Sequence, residues 1–166
     1  MIRKARTEDI ATIMSITDAC AKKLIQLNIF QWNDQYPNEQ VFRDDIIRDE
    51  LYVIEVNSKV IGCMAITEIK DAEYEPVNWL TDDGNSIYIH RLAVHPDNQG
   101  QGFARKLMGY AENHARENQK ISVRLDTFSK NLRNQKFYET RGYTRLGHVY
   151  FPMQSDDPFY GYELLL

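Results

Sequence analysis

Apolar positions near the start of the chain recur at alternating three- and four-residue steps, through Ile10, Ile13, Thr17, Cys20, Leu24 and Leu27. That spacing predicts one face of an amphipathic helix, with Thr7 as its N-cap, Glu8 and Asp9 favourable in the first turn, and an end near Asn28. Ile2 to Arg6 predicts a short strand before it, and Gln40 to Arg48 a second helix after it. The pattern then changes to strand-like. Leu51 to Val56 and Val60 to Glu68 are rich in β-branched residues, with Asn57-Ser58 suited to a tight hairpin turn between them. Ser86 to Val94 is almost continuously apolar or aromatic, as a strand buried on both faces requires. Phe103, Leu107, Met108, Ala111 and Ala115 mark the inner stripe of a helix ending near Asn118. Ile121, Val123 and Leu125 alternate with Ser122, Arg124 and Asp126, so a strand follows. Leu132 to Thr140 reads as a short helix stopped by Gly142, a left-handed C-cap, and Tyr143 to Tyr150 and Tyr160 to Leu166 read as closing strands. The sum is a single α/β domain over residues 1–166. Its central mixed sheet has about seven strands, with about four helices on both faces.

Two connections are unusual. Ile29-Phe30-Gln31-Trp32 is apolar and aromatic, and Asp71 to Gly84 is strongly acidic. Phe30, Trp32 and Tyr36 suit either an acceptor pocket or the core, and the acidic stretch suits either a solvated loop or attraction of a cationic amine. The formal net charge of −4 disfavours a general nucleic-acid role, which needs clustered Lys and Arg. Cys20 and Cys63 are too far apart for a metal-spaced set and read as free, buried thiols in a reducing compartment; no metal site is expected. Met1 is followed by Arg3, Lys4 and Arg6 with no apolar run behind them, so no signal peptide is expected. No stretch approaches the roughly 20 apolar residues of a membrane span. The expected location is cytoplasmic.

The candidate chemistry lies where the apolar strand ending at Val94 meets His95-Pro96-Asp97-Asn98-Gln99-Gly100-Gln101-Gly102 and a helix begins. Bare backbone N–H groups at a helix N-terminus form a ready anion site, most naturally for a phosphate. A P-loop needs Lys-Ser/Thr after its second glycine, and Gly102 is followed by Phe103-Ala104. The dinucleotide fingerprint needs a third glycine where Arg105 stands.

Gln99, Gly102 and Ala104 occupy the fixed positions of a Gln/Arg-x-x-Gly-x-Gly/Ala loop. Asn131 and the run Phe137-Tyr138-Glu139-Thr140-Arg141-Gly142-Tyr143 follow at compatible spacing. With the junction Leu92-Ala93-Val94-His95-Pro96, these segments resemble the GCN5-related N-acetyltransferase superfamily, and the predicted element order agrees across nearly the whole chain. The resemblance implies acetyl-CoA as co-substrate. The segment Gln99-Gly100-Gln101-Gly102-Phe103-Ala104 would hold its pyrophosphate, with the small residues letting backbone approach closely. The strands Tyr88–Val94 and Ile121–Phe128 would be parallel and splay at their ends. The pantetheine arm would pair with backbone along Leu92, Ala93 and Val94 as an added strand does, with Asn131 bonding the arm or shaping its slot.

The implied reaction is direct acetyl transfer to a primary amine of a small molecule or peptide. Backbone N–H groups near Val94 would stabilise the tetrahedral oxyanion, and Tyr138 would act as general acid to the departing thiolate. The family strand often bears a Glu where this chain has Tyr88, so the base falls to His90, Glu68 or Glu73, of which His90 has the best intrinsic pKa. The rival readings are a non-catalytic acyl-CoA-binding or sensory module and a protein N-terminal acetyltransferase. Family habit adds a homodimer. The tyrosine-rich closing strands (Tyr143, Tyr150, Tyr160, Tyr162) suit an interface or a plain core.

Overall fold

A computed structural model describes all 166 residues. Seven strands (β1 Ile2–Lys4, β2 Leu51–Val56, β3 Lys59–Thr67, β4 Ser86–Val94, β5 Ser122–Phe128, β6 Thr144–Val149, β7 Phe159–Leu165) lie in the order β1-β2-β3-β4-β5-β7-β6. The pair β4–β5 is parallel, and the pairs β1–β2, β2–β3, β5–β7 and β6–β7 are antiparallel. Four α-helices accompany them: α1 Ile10–Gln26, α2 Glu39–Ile47, α3 Phe103–Glu117 and α4 Leu132–Thr140. This is the mixed α/β sheet that the hydrophobic pattern predicts. No helix is long and apolar enough to cross a membrane. The chain divides into two compact units, Met1–Ile66 with His90–Ala111, and Thr67–Ile89 with Glu112–Leu166.

In the first unit, α1 starts later than its sequence suggests. Residues Thr7–Asp9 form a 3-10 turn, and the Arg6 N–H donates to Asp9 Oδ2 at 2.7 Å, so Asp9 rather than Thr7 caps this end. Its buried face is Ile10, Ile13, Ile16, Thr17, Cys20 and Ala21; Leu27 is 62% exposed, because Asn28 turns left-handed (φ 57°) and ends the helix. Asn38 caps α2 by accepting the Val41 N–H at 3.0 Å. In the β2–β3 hairpin, Asn57 and Ser58 both have positive φ (49° and 61°), the twist that a two-residue turn needs to match its strands. One core cluster joins Ile13, Ile16, Phe42, Leu51, Val53 and Cys63, and Trp32 belongs to it. Trp32 is therefore a core residue, whereas Phe30 is 50% exposed.

Gly62 of β3 is a close-approach position. A Cβ there would stand 2.6 Å from the Ala93 carbonyl oxygen of β4, too near for any side chain. The glycine lets β4 press its backbone toward β3, and the His95 N–H donates to the Ile61 carbonyl at 2.8 Å just beyond.

In the second unit, Arg124 of β5 is fully buried and organises the acidic connection. Its guanidinium donates to Glu163 Oε1 (3.1 Å), Asp83 Oδ1 (2.6 Å) and the Tyr88 hydroxyl (3.0 Å), and lies 4.7 Å from the Trp79 ring centre. Lys70 bridges Glu75 and Asp83, and Lys120 pairs with Glu68. Two of the five carboxylates of this stretch, Glu75 and Asp83, are thus ion-paired within the unit. A 3-10 turn, Ala72–Tyr74, interrupts what its polar sequence suggests is plain loop. Gly142 has φ 95° and ends α4 as expected. Tyr143 and Tyr162 are core residues, while Tyr150 is exposed. Replacing Gly62 with Ala is expected to destabilise the protein by about 1–3 kcal/mol, because the Ala93 carbonyl has to move. Urea unfolding of the purified variant checks this.

Candidate active site

The loop singled out by its glycines has the geometry of an anion cradle. Pro96–Asn98 forms a 3-10 turn, fixed by the Asp97 N–H donating to His95 Nδ1 at 3.2 Å. Gly100 and Gly102 then take left-handed φ values of 80° and 84°, which L side chains rarely adopt. A Cβ at either would meet no protein atom within 4 Å, so space lies open over this backbone. The Gly102 carbonyl accepts the Lys106 N–H at 3.0 Å, which makes Gly102 the N-cap of α3. A glycine has no side chain to cap with, and the amides of Phe103, Ala104 and Arg105 come too early for a partner within the helix. Leu107, Met108, Ala111 and Ala115 are fully buried and hold α3 in place.

Gln99 turns inward. Its Nε2 donates to the Val94 carbonyl at 2.9 Å, and its Oε1 accepts from Lys23 Nζ at 3.1 Å. It braces the loop against β4 and α1. The buried Cys20 thiol also donates to the Val94 carbonyl, at 3.2 Å, and burial pushes that thiol up to about 11, so it stays a thiol. Along β4, the Ala93 carbonyl and the His95 N–H face β3. By the alternation of a strand, the backbone groups of Leu92 and Val94 face away from β3. The β4–β5 register covers Ser86↔Ser122 to Ile89↔Leu125. Arg91 follows at once with φ 54°.

The second unit carries the other motif. Asn131 is buried, and its Oδ1 accepts the Asn134 N–H at 3.1 Å, so it caps α4. Tyr138 lies in a cluster with the rings of Phe137, Tyr143 and Tyr162, with centres 5.3, 5.8 and 5.9 Å away. Burial raises its hydroxyl well above the usual tyrosine range, with the Asp126 carboxylate adding to the effect, so it remains a proton donor at neutral pH.

The base candidates fare differently. The Nε2 of His90 is shielded from solvent, and burial, aided by Arg91 and Arg48, pushes the imidazole down from 6.5 to about 3. Such a ring holds no proton at neutral pH, and its Nε2 is closed off from solvent and so from an incoming amine; His90 loses the role that its intrinsic pKa suggests. Glu68 is paired with Lys120 at 2.6 Å, and Glu73 is exposed. Asp126 was not singled out by the sequence. It is half-buried on β5 and accepts the Tyr74 hydroxyl at 2.5 Å. The only sequence signal for it was a carboxylate at a polar phase of an alternating strand.

A family model described as the acetyltransferase (GNAT) family matches residues 15–143. The chain belongs to this acetyltransferase family. It is 29% identical over 105 residues to an uncharacterized N-acetyltransferase in the pepI 3′ region of Lactobacillus delbrueckii subsp. lactis, a match spanning 63% of this chain and 57% of that protein. A GNAT-family acetyltransferase structure from Streptococcus agalactiae superposes with TM-score 0.82 at 26% identity, covering all of this chain and 95% of that one. The structure of yncA from Salmonella typhimurium, solved with its cofactor acetyl-CoA, has TM-score 0.71 at 21% identity, covering all of this chain and 93% of that one.

The depressed His90 pKa gives a signed pH dependence. Between about 6.5 and about 3 the unfolded chain takes up a proton at this residue that the folded protein does not, so stability falls as pH is lowered. Wild-type protein is expected to lose more stability between pH ~7 and pH ~5 than His90→Gln, because this window lies above the carboxylate range. Urea midpoints across that window check this.

Proposed function

We propose that this protein is an acetyl-CoA-dependent N-acetyltransferase acting on a primary amine. The carrying observation is the pair of left-handed glycines, Gly100 and Gly102, with open space over them at the start of α3. That arrangement suits a pyrophosphate, which needs several N–H donors converging on it and no side chains in the way. Family membership supports the acetyl donor, and so does the fold shared with a protein solved with acetyl-CoA. In this reading Gln99 stiffens the cradle rather than touching phosphate, and Gly100, Gln101, Gly102, Phe103 and Ala104 supply the backbone contacts. The pantetheine arm takes the outward backbone of Leu92 and the Val94 N–H, with Ala93 between them, the Val94 carbonyl being held by Gln99. Asn131 shapes the start of α4, the helix that carries Tyr138.

The neutral amine attacks the thioester carbonyl carbon. The tetrahedral oxyanion collapses and the C–S bond breaks. Tyr138 hydrogen-bonds the departing thiolate and gives it a proton, and Asp126 takes the proton that the amine loses. Asp126 suits the task because it is half-buried, oriented by Tyr74 and close enough to Tyr138 to shift it. Two carboxyl-and-hydroxyl partners held on one unit allow one to accept a proton while the other donates one. No covalent enzyme intermediate is needed.

Release of free coenzyme A from acetyl-CoA, followed against a panel of small and peptide amines, tests the reading. Tyr138→Phe and Asp126→Asn are each expected to lower kcat by about 100-fold. Tight binding of acetyl-CoA with no amine-dependent release by the wild type would identify a non-catalytic binding module instead.

A further inference from the structure

Arg91 occupies a backbone conformation that the chain has to hold by force. Its φ of 54° lies in the left-handed region, where a residue with a Cβ is strained and glycine is the usual choice. The side chain explains the exception. Arg91 Nε donates to Asp45 Oδ2 at 2.7 Å and Nη2 to Asp45 Oδ1 at 2.8 Å, a two-pronged pair with a carboxylate of α2 that is fully buried. Arg91 Nη1 donates to the Tyr36 hydroxyl at 3.0 Å, in the connection between α1 and α2. Arg48 Nη2 adds a further bond to Asp45 Oδ1 at 2.8 Å. From the β3 side, Gly62 leaves room for the Ala93 carbonyl, and the Cys63 thiol approaches the Arg91 carbonyl at 3.6 Å. The irregular turn of β4 is therefore gripped from two directions, by its own guanidinium and by the neighbouring strand.

A lone surface salt bridge has little effect on geometry. This one differs, since both partners are buried, the fork fixes orientation as well as distance, and the backbone it fixes immediately precedes Leu92 and Val94. We propose that the Arg91–Asp45–Tyr36 lock is a positioning device that sets the outward backbone of Leu92 and the Val94 N–H for the pantetheine arm. Arg91 and Asp45 do not touch the donor; they act through the strand. The lock also ties the donor strand to α2 and to the connection bearing Tyr36. The inference rests on the proposed use of acetyl-CoA, and it names three residues that neither the glycine loop nor the Tyr138 motif contains.

The test uses full-length protein with two donors, acetyl-CoA and S-acetylpantetheine, which lacks the pyrophosphate and so depends on the strand alone. Arg91→Gly removes the lock yet accepts the left-handed φ without strain, and Arg91→Lys keeps the charge but not the fork. Both are expected to lose about tenfold in kcat/KM with either donor, at temperatures well below their melting points. Tyr36→Phe, which removes only a hydroxyl acceptor, is expected to lose about two- to threefold and covers the case in which the arginine variants do not fold. Asp45→Asn combined with Arg91→Gly is expected to be no worse than Arg91→Gly alone, since both act through one interaction. Variants with lowered melting temperature but wild-type kcat/KM for both donors would overturn the proposal and leave a merely structural ion pair. A wild-type protein that binds no acetyl-CoA would overturn the functional reading itself, and this inference with it.

Discussion

Strand β4 has two incompatible tasks, and the compromise is written in its backbone. Its first half pairs in parallel with β5 from Ser86 to Ile89, where its side chains are buried. Its second half leans on β3, where Gly62 concedes the space for the Ala93 carbonyl. The change of direction falls at Arg91, whose positive φ breaks the regular pleat. A regular strand would bond its backbone groups on both sides and leave none for a ligand. The Val94 carbonyl is taken by Gln99 and Cys20, so what faces outward here is the Leu92 backbone and the Val94 N–H, and the glycine loop follows within a few residues. Gly62, Arg91, Gln99 and the loop glycines all serve that one irregularity.

Holding it requires charge in places where charge is expensive. Arg91 and Arg124 are both withdrawn from solvent, and each is matched by carboxylates that sit with it. Taking such groups from water costs several kcal/mol per ion, recovered only when geometry is good and the remaining donors are satisfied. Arg124 meets that condition through Glu163, Asp83, Tyr88 and the Thr81 carbonyl. Glu163 is in turn satisfied by Ser122, Thr81 and the Leu80 N–H, and its carboxyl is held below the usual range despite its burial. The acidic stretch from Asp71 to Asp83, which looks solvated in sequence, is partly the counter-charge of a buried arginine. Networks of this kind specify geometry more than they add stability.

The site was unevenly legible. The glycine loop was readable because left-handed backbone and missing side chains are local needs, met by local residue choices. The Asn131 and Tyr138 motif was readable for a similar reason, although Asn131 proves to cap a helix. The proposed proton acceptor was not readable. His90 has the right intrinsic chemistry, but burial beside two arginines removes its basicity, and burial is a property of the packed molecule. Asp126 was invisible because its significance comes from Tyr74, 52 positions away, and from Tyr138 on the following helix. Trp32 and Phe30 are neighbours in sequence and part company in space, one in the core and one exposed.

The sequence by itself determined the elements, their order and the left-handed glycine loop before α3. Period-two and helical patterns report which face of an element is dry, and capping and left-handed residues report where each element stops. It could not determine which carboxylates are buried or hydrogen-bonded, or what holds a non-glycine residue in a glycine conformation. Those depend on partners brought together from distant positions, Asp45 with Arg91 and Tyr74 with Asp126. Pairwise electrostatics and burial act across space rather than along the chain, so only the tertiary structure decides them.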